Sequence, residues 1–253
     1  MDNLKGLHAL VTGGGRGIGA AISTALTKQG ATVTVLGRNG GRLEAHVAAG
    51  GAHGFVVADI TDYDAVTAAI AQTIAARGPI DILVNNAGGT ATAPFLKTTN
   101  ADFRATLDLN LMGPVHVTRE ILPGMIERGF GRIINIASTA SLKAYPYISA
   151  YVASKHAILG LTRALALETA QAGVTVNAVC PGFTDTDLVA EGVSQIVRKT
   201  GRTPGAAQAE LVRNNPQKRL IQPLEVAQAV VFLAGRGAGS INGAALPISG
   251  GEI

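Results

Sequence analysis

Tryptophan is absent, and six phenylalanines and four tyrosines are the whole aromatic complement of the 253 residues. Nucleic-acid surfaces interleave stacking aromatics with basic stripes, whereas the 21 Lys and Arg residues here are dispersed along the chain. Nucleic acid is therefore not expected as the main partner. The net charge of +4 is a modest positive field that suits an anionic cofactor or an acyl-thioester substrate. Cysteine occurs once, at Cys180, which excludes an internal disulfide framework; within the apolar run Val174–Cys180 it reads as a small buried hydrophobe. No apolar run approaches the ~20 residues of a membrane span. The start Met1-Asp2-Asn3-Leu4-Lys5-Gly6 lacks a basic-then-apolar signal pattern, so the expected location is the cytoplasm. His8, His46, His53 and His116 form no metal-ligand spacing, and no metal is expected. Charged residues make up only 15% against 47% hydrophobic, the balance of a globular chain with a sizeable core rather than a disordered one.

What is present is alternation. Short β-branched runs occur at His8–Thr12, Thr32–Leu36, Gly54–Ala58, Ile80–Asn85, Arg132–Ala137, Val174–Val179 and Ala244–Ile248. Between them lie helical patterns at Ile18–Gln29, Gly41–Ala49, Tyr63–Ala76, Asn100–Arg128, Tyr151–Gln171 and Pro223–Ala234. Several strand runs are apolar nearly throughout, as parallel strands covered on both faces require. Repeated strand–helix–strand units predict an α/β fold: one Rossmann domain over residues 1–253, with a doubly wound, seven-stranded parallel sheet and helices on both faces. Ligands of such sheets sit beyond the carboxyl ends of the strands. Phe183–Gln217 breaks the rhythm; it is more polar, carries Gly201, Pro204 and Pro216, and holds short amphipathic pieces at Asp187–Thr200 and Ala206–Asn214. A long insertion there is a candidate substrate lid, the alternative being a surface excursion with no gating role.

Two patterns carry chemistry. The first strand runs into Thr12-Gly13-Gly14-Gly15-Arg16-Gly17-Ile18-Gly19. Glycines there permit a sharp turn and close backbone approach, and the following helix offers free N–H groups and a positive dipole end to a diphosphate. The second is Tyr151-Val152-Ala153-Ser154-Lys155. In a helix, residues four apart share a face, so a phenol lies beside an ammonium. A free tyrosine titrates near ~10, and a neighbouring cation lowers that value toward useful acid–base chemistry. By itself the spacing is equally that of a surface lysine after a half-buried tyrosine.

Thr12–Gly19, Asn85-Asn86-Ala87-Gly88, Ser138, Tyr151–Lys155 and Pro181-Gly182 occur in the order and spacing of the short-chain dehydrogenase/reductases, and the resemblance covers essentially the whole chain. It implies a nicotinamide dinucleotide held by Gly13, Gly15, Arg16, Gly17, Ile18 and Gly19. Asn86, Ala87 and Gly88 then lie beside the adenine ribose, Asp59 and Ile60 at the adenine, and Pro181, Gly182, Thr184 and Thr186 at the carboxamide. Asp59 is equally readable as a helix cap. The resemblance further implies that Ser138 binds the substrate carbonyl and that Tyr151 is the proton donor. Lys155 holds the cofactor ribose and keeps the tyrosine acidic, and Asn110 holds a water linking Lys155 to solvent. An asparagine inside an apolar helix needs a partner, which a purely structural hydrogen bond would also supply. His156 lies about 100° around the helix from Lys155 and receives no role.

Cofactor choice rests on Val33-Thr34-Val35-Leu36-Gly37-Arg38-Asn39. An acidic residue after the second strand accepts from the ribose hydroxyls of NAD, and an arginine can instead meet a 2′-phosphate. Gly37 occupies the acidic place; Arg38, with Asn39 beside it and Arg16 in the glycine turn, suits the phosphate. NADP(H) is expected and NAD(H) is the alternative. Ser138, Thr139, Tyr145, Tyr147, Ile148 and Phe183 are expected around the substrate, in a largely apolar mouth fit for an acyl chain or ring. Within the family the chain looks like 3-oxoacyl thioester and polyketide ketoreductases; NAD-dependent hydroxyacyl-CoA dehydrogenases of ring degradation look nearly as close, so a hydroxyacyl-CoA or cyclic alcohol dehydrogenase working oxidatively is the alternative. Arg198, Lys199, Arg202, Arg213, Lys218 and Arg219 are scattered in the lid and read as a solvated face. A dinucleotide sensor without activity is the reading from another class, and the presence of all four catalytic positions opposes it. Relatives mostly assemble as tetramers through the two long helices and the last strand; a homotetramer is expected, with a dimer as alternative.

Overall fold

The computed structural model describes residues 4–253, apart from the side chains of Leu188, Gln195 and Lys199. Met1–Asn3 and the Lys199 side chain, both used in the sequence reading, lie outside the described residues. β1 (His8–Thr12) is buried along its whole length. Successive side chains of a strand point to opposite faces, and accordingly Ala9 and Val11 enter one core while Leu10 enters the other. The first core is closed by Ile22 and Leu26 of α1 (Gly17–Lys28) and by Val226 and Val230 of α9 (Pro223–Ala234). The second is closed by Val66 and Ile70 of α3 (Tyr63–Arg77) and by Val117, Ile121 and Met125 of α5 (Gly113–Glu127).

The remaining strands are β2 (Thr32–Gly37), β3 (Gly54–Val57), β4 (Ile82–Asn85), β5 (Gly131–Ile136), β6 (Val174–Pro181) and β7 (Ala245–Ile248). Their order is β3-β2-β1-β4-β5-β6-β7, parallel throughout. The winding reverses between β1 and β4, and the carboxyl ends of those strands are where such sheets open a crevice. α2 (Gly40–Ala48) follows β2, and α6 (Ser149–Thr169) follows β5. The seven expected strands and the doubly wound sheet are all present.

Two expectations change in detail. The helix expected over Asn100–Arg128 is interrupted: α4 (Asn100–Leu107) passes into a π-helical turn at Asp108–Met112 before α5 begins. Pro114 has no N–H to close a regular turn, and the Asn110 amide donates to the Thr106 carbonyl at 3.0 Å, taking an acceptor from the backbone ladder. The helix therefore widens by one residue at Asn110. The expected Tyr151 start of the next helix moves to Ser149, and its end passes into a 3₁₀ turn at Ala170–Ala172.

The insertion after β6 contains α7 (Asp187–Thr200) and α8 (Pro204–Leu211). Its two ends run together: Thr184 bridges Ile221 in parallel, the Asp185 N–H donates to the Ile221 carbonyl, and the Ile221 N–H donates to the Phe183 carbonyl. No helix among the described residues is long and apolar enough to cross a membrane.

Candidate active site

At the end of β1 the chain turns through Gly13 with φ +66°. A Cβ there would stand 2.9 Å from Asn86 Nδ2 and 3.0 Å from Ala87 Cα, and one on Gly19 would collide with the Gly13 carbonyl. Thr12 locks this crossing. Its hydroxyl oxygen accepts from the N–H groups of Asn86 and Ala87, each at 3.0 Å, and Asn86 Nδ2 donates to the carbonyl oxygens of Thr12 and Gly13. The turn and the end of β4 are thus one rigid unit. No side chain caps the N-terminus of α1, and no carboxylate lies in its first turn. Those backbone donors and the positive helix end suit a dinucleotide diphosphate. Gly15 packs near Leu43 of α2, Ile18 packs on the first core, and Gly17 lies against the Thr186 methyl at the start of the insertion.

At the end of β2, Gly37 leaves no carboxylate, and Arg38 after it is exposed. Its guanidinium stands 3.6 Å from Asp59 with 72% of the side chain accessible. Asp59 caps the turn before α3, accepting from the Thr61 N–H at 3.0 Å and its hydroxyl at 2.8 Å. Those bonds, with Arg38 nearby, outweigh burial and hold its carboxyl below the usual range. The cap of α3 itself is Asp62, which accepts from Ala65 N. Asn39 caps α2 through Arg42 N. The Ile60 side chain is buried against Gly113.

Ser138, Tyr151 and Lys155 converge beyond β5 and β6. Ser138 Oγ accepts from Ala140 N at 3.1 Å, leaving its own proton free to donate. It hydrogen-bonds Tyr151, and that bond works to lower the phenol's pKa while burial pushes it up, with burial the larger effect. Lys155 is buried; its Nζ donates to the Ile136 carbonyl at 2.8 Å and stands 5.6 Å from the Tyr151 ring centroid. Burial lowers its pKa to about 8, against a smaller opposing influence of Cys180. The expected pair of phenol and ammonium is thus brought together, with burial acting against the charged form of each. Asn110, at the π-turn, accepts from Gly89 N at 3.1 Å and donates to Gly89 O at 2.9 Å. A Cβ on Gly88 would stand 2.8 Å from Asn110 Oδ1 and 3.7 Å from Lys155 Nζ, so both side chains flank that glycine.

Pro181 ends β6, and the Gly182 N–H donates to the Ile248 carbonyl. Thr184 is buried, its hydroxyl donating to the Gly182 carbonyl, and Thr186 donates to the Thr184 carbonyl; both hydroxyls are spent within the loop. Of the expected substrate neighbours, Ser138, Thr139, Tyr145 and Phe183 come together. Tyr145 lies 2.7 Å from the Thr139 hydroxyl and meets the Phe183 ring edge-on at 6.2 Å. Tyr147 and Ile148 line a cavity of about 90 Å³ with Ala91, Ala93, Thr98 and, next to Tyr151, Ala150, and Tyr147 is 62% exposed with φ +68°.

Sequence reasoning gave Lys143 no role of its own and missed Glu252. Glu252 Oε1 accepts from the Tyr145 hydroxyl at 2.8 Å and pairs with Lys143 Nζ at 2.7 Å. Neither belongs to a motif, and only the fold brings residue 252 beneath the loop after β6. In the insertion, Arg202 and Arg213 pair with Glu210, Arg219 pairs with Glu225, and Lys218 donates to the Arg213 carbonyl; its cations are largely engaged. His156 is exposed, its ring against the Val152 carbonyl.

The family model described as short chain dehydrogenase matches residues 7–196. This chain belongs to the short-chain dehydrogenase family. The dehydrogenase is 39% identical over 247 residues to an acetoacetyl-CoA reductase of Shinella zoogloeoides, covering 97% of this chain and 98% of that protein. It is also 39% identical over 255 residues to a D-beta-hydroxybutyrate dehydrogenase of Cupriavidus necator, covering 99% of each. Among solved structures, a variant of actinorhodin polyketide ketoreductase crystallised with NADPH superposes with a TM-score of 0.93 at 34% identity, covering 100% of this chain and 99% of that one. The enzyme is an oxidoreductase acting on CH–OH or C=O groups, with ketoreductase-like relatives.

Proposed function

We propose that this dehydrogenase is an NADP(H)-dependent reductase of a 3-oxoacyl thioester or a similar ketone. The observation that carries the reading is the convergence of Ser138, Tyr151 and Lys155 at the carboxyl ends of β5 and β6. The crevice side of the glycine turn, Asn86–Gly88, Arg38 and the loop Pro181–Thr186 would hold the dinucleotide, which supplies a hydride to the carbonyl carbon when bound. Ser138 donates to the carbonyl oxygen. Tyr151 donates a second hydrogen bond and gives up its proton to the forming alkoxide. Lys155, beneath the phenol, replaces that proton, with Asn110 ordering the path past Gly88. Fixing two donors on one oxygen supplies much of the acceleration. Tyr151→Phe is expected to abolish reduction while leaving NADPH affinity, read by fluorescence titration, near the wild-type value; a variant keeping most of its kcat overturns the assignment.

Preference for NADP(H) is supported by Gly37 in the acidic place and by a loosely held Arg38, with Arg16 exposed in the turn. Asp59 is already engaged by Thr61, so Arg38 is free to swing onto a 2′-phosphate. Comparing kcat/KM for NADPH and NADH tests this, and a clear NADH preference refutes it. The equal likeness to a hydroxybutyrate dehydrogenase favours, as the second reading, NAD-dependent oxidation of a hydroxyacyl compound. A panel of acetoacetyl-CoA, longer 3-oxoacyl thioesters and ketones, run in both directions, separates the two. The insertion would cover the acyl chain as a lid, and the working location would be the cytoplasm.

A further inference from the structure

The catalytic groups leave one charged cluster of the mouth unexplained. Glu252 is a carboxylate with only 3% of its side chain exposed, beyond the last strand of the sheet. A Cβ on Gly182 would stand 3.6 Å from its Oε2, which puts it under the loop following β6. It takes the Tyr145 hydroxyl at 2.8 Å and the Lys143 ammonium at 2.7 Å. A tyrosine hydroxyl has one proton to give, and the anionic carboxylate is the stronger acceptor. Tyr145 therefore donates to Glu252 and receives from Thr139, the neighbour of Ser138, at 2.7 Å. The hydrogen bonds run Thr139 to Tyr145 to Glu252, and Lys143 closes the line from outside. Lys143 is 31% exposed, with its ammonium 5.1 Å from the Tyr145 ring centroid. The other cation of the site, Lys155, lies deeper and is committed to the Ile136 carbonyl.

This arrangement has a consequence for substrate charge. A free carboxylate next to the reacting carbonyl would look for Lys143 and for the hydroxyls of Tyr145 and Thr139. Lys143 and Tyr145 are already turned toward Glu252 and Thr139 toward Tyr145, and the charge of Glu252 also repels such a group. An ester or thioester in the same place meets no such conflict.

We propose that Glu252 sets the charge preference of the substrate mouth: by neutralising Lys143 and fixing Tyr145 it makes the enzyme take carbonyls with an uncharged flank and reject those carrying a free carboxylate. The role rests on the ketoacyl reading above. It is a positioning and specificity role, since Glu252 acts through Tyr145 and Lys143.

The test is reduction of ethyl acetoacetate against acetoacetate, with NADPH affinity followed separately by fluorescence. Wild-type enzyme is expected to prefer the ester. Glu252→Gln frees Lys143, and the ester-to-acid ratio of kcat/KM should move about tenfold toward the acid, the size of one partly buried charge contact, mainly through the KM of acetoacetate. Glu252→Asp should keep most of the wild-type ratio, and Lys143→Met added to Glu252→Gln should cancel the gain. Lys143→Met alone leaves Glu252 unpaired and should move the ratio further from the acid, which serves if Glu252→Gln folds poorly. NADPH affinity should stay the same in all of them. A ratio unchanged in Glu252→Gln, or a gain that survives loss of Lys143, overturns the proposal while leaving the ketoreductase reading intact. Wild-type enzyme that reduces neither ester nor acetoacetyl-CoA overturns both.

Discussion

An amine held away from water on a single backbone carbonyl titrates differently from one in solvent, and Lys155 is such an amine. Burial brings its pKa to about 8 from the ordinary 10.5 of a lysine, because the interior disfavours the charged form. For a base with a depressed folded pKa, the unfolded chain binds more protons between the two values, so stability rises with pH across that window. At and below pH 7 the cost of burying the ammonium is fully present; between about pH 8 and pH 10 it is relieved. Cys180, raised to about 11 by burial, acts oppositely as the unfolded thiol ionises. The comparison therefore belongs in a Cys180→Ala background. There, the stability of the Lys155 protein relative to Lys155→Met should improve as pH rises from 7 to 10, by at most about 3 kcal/mol at about 1.4 kcal/mol per pKa unit. Urea denaturation at stepped pH measures it, and a flat difference would show that the ammonium is not strained.

At the scale of elements, the π-turn explains more than any regular helix does. Asn110 makes three hydrogen bonds, two to Gly89 and one to Thr106, and so ties the helix to the segment after β4. Asn110→Ala leaves the Gly89 N–H and carbonyl unpartnered in a half-buried place, a loss of about 2 to 3 kcal/mol. It should lower the urea midpoint together with kcat, whereas an effect on kcat alone would mean that Gly89 finds other partners. The sequence showed an asparagine needing a partner, and it showed the ends of α7 and α9 to the residue. It could not show the extra residue of the π-turn, because a single insertion leaves the 3.6-residue pattern intact on either side. The cofactor turn was legible because glycine has a backbone reason to be there, and Ser138, Tyr151 and Lys155 were legible through the matched family motif. Glu252 was not, since nothing local distinguishes one more acidic residue after Gly250-Gly251; only the return of β7 beside β6 brings it under Tyr145.

Across the whole molecule, the apolar side chains left outside the core clusters point to assembly. Leu167 of α6 is 82% exposed, and Leu224 and Phe232 of α9 are each 57% exposed. β7 closes the sheet as an edge, with all four residues only partly covered, and an uncovered edge invites pairing or burial by another copy. We propose two interfaces, one across α6 with α4 and α5, the other across β7 and α9, which together make a tetramer. Leu167 has little folded environment to lose, so Leu167→Glu should change the stability of the fold by no more than about 0.5 kcal/mol. It buries a charge at only the first interface, which desolvation opposes strongly. Light scattering should then find tetramers for the wild type and dimers for Leu167→Glu, and Phe232→Glu should split the molecule across the other contact. A wild type that elutes as a monomer at micromolar concentration removes both interfaces, and a Leu167→Glu variant that stays tetrameric moves the first one off α6.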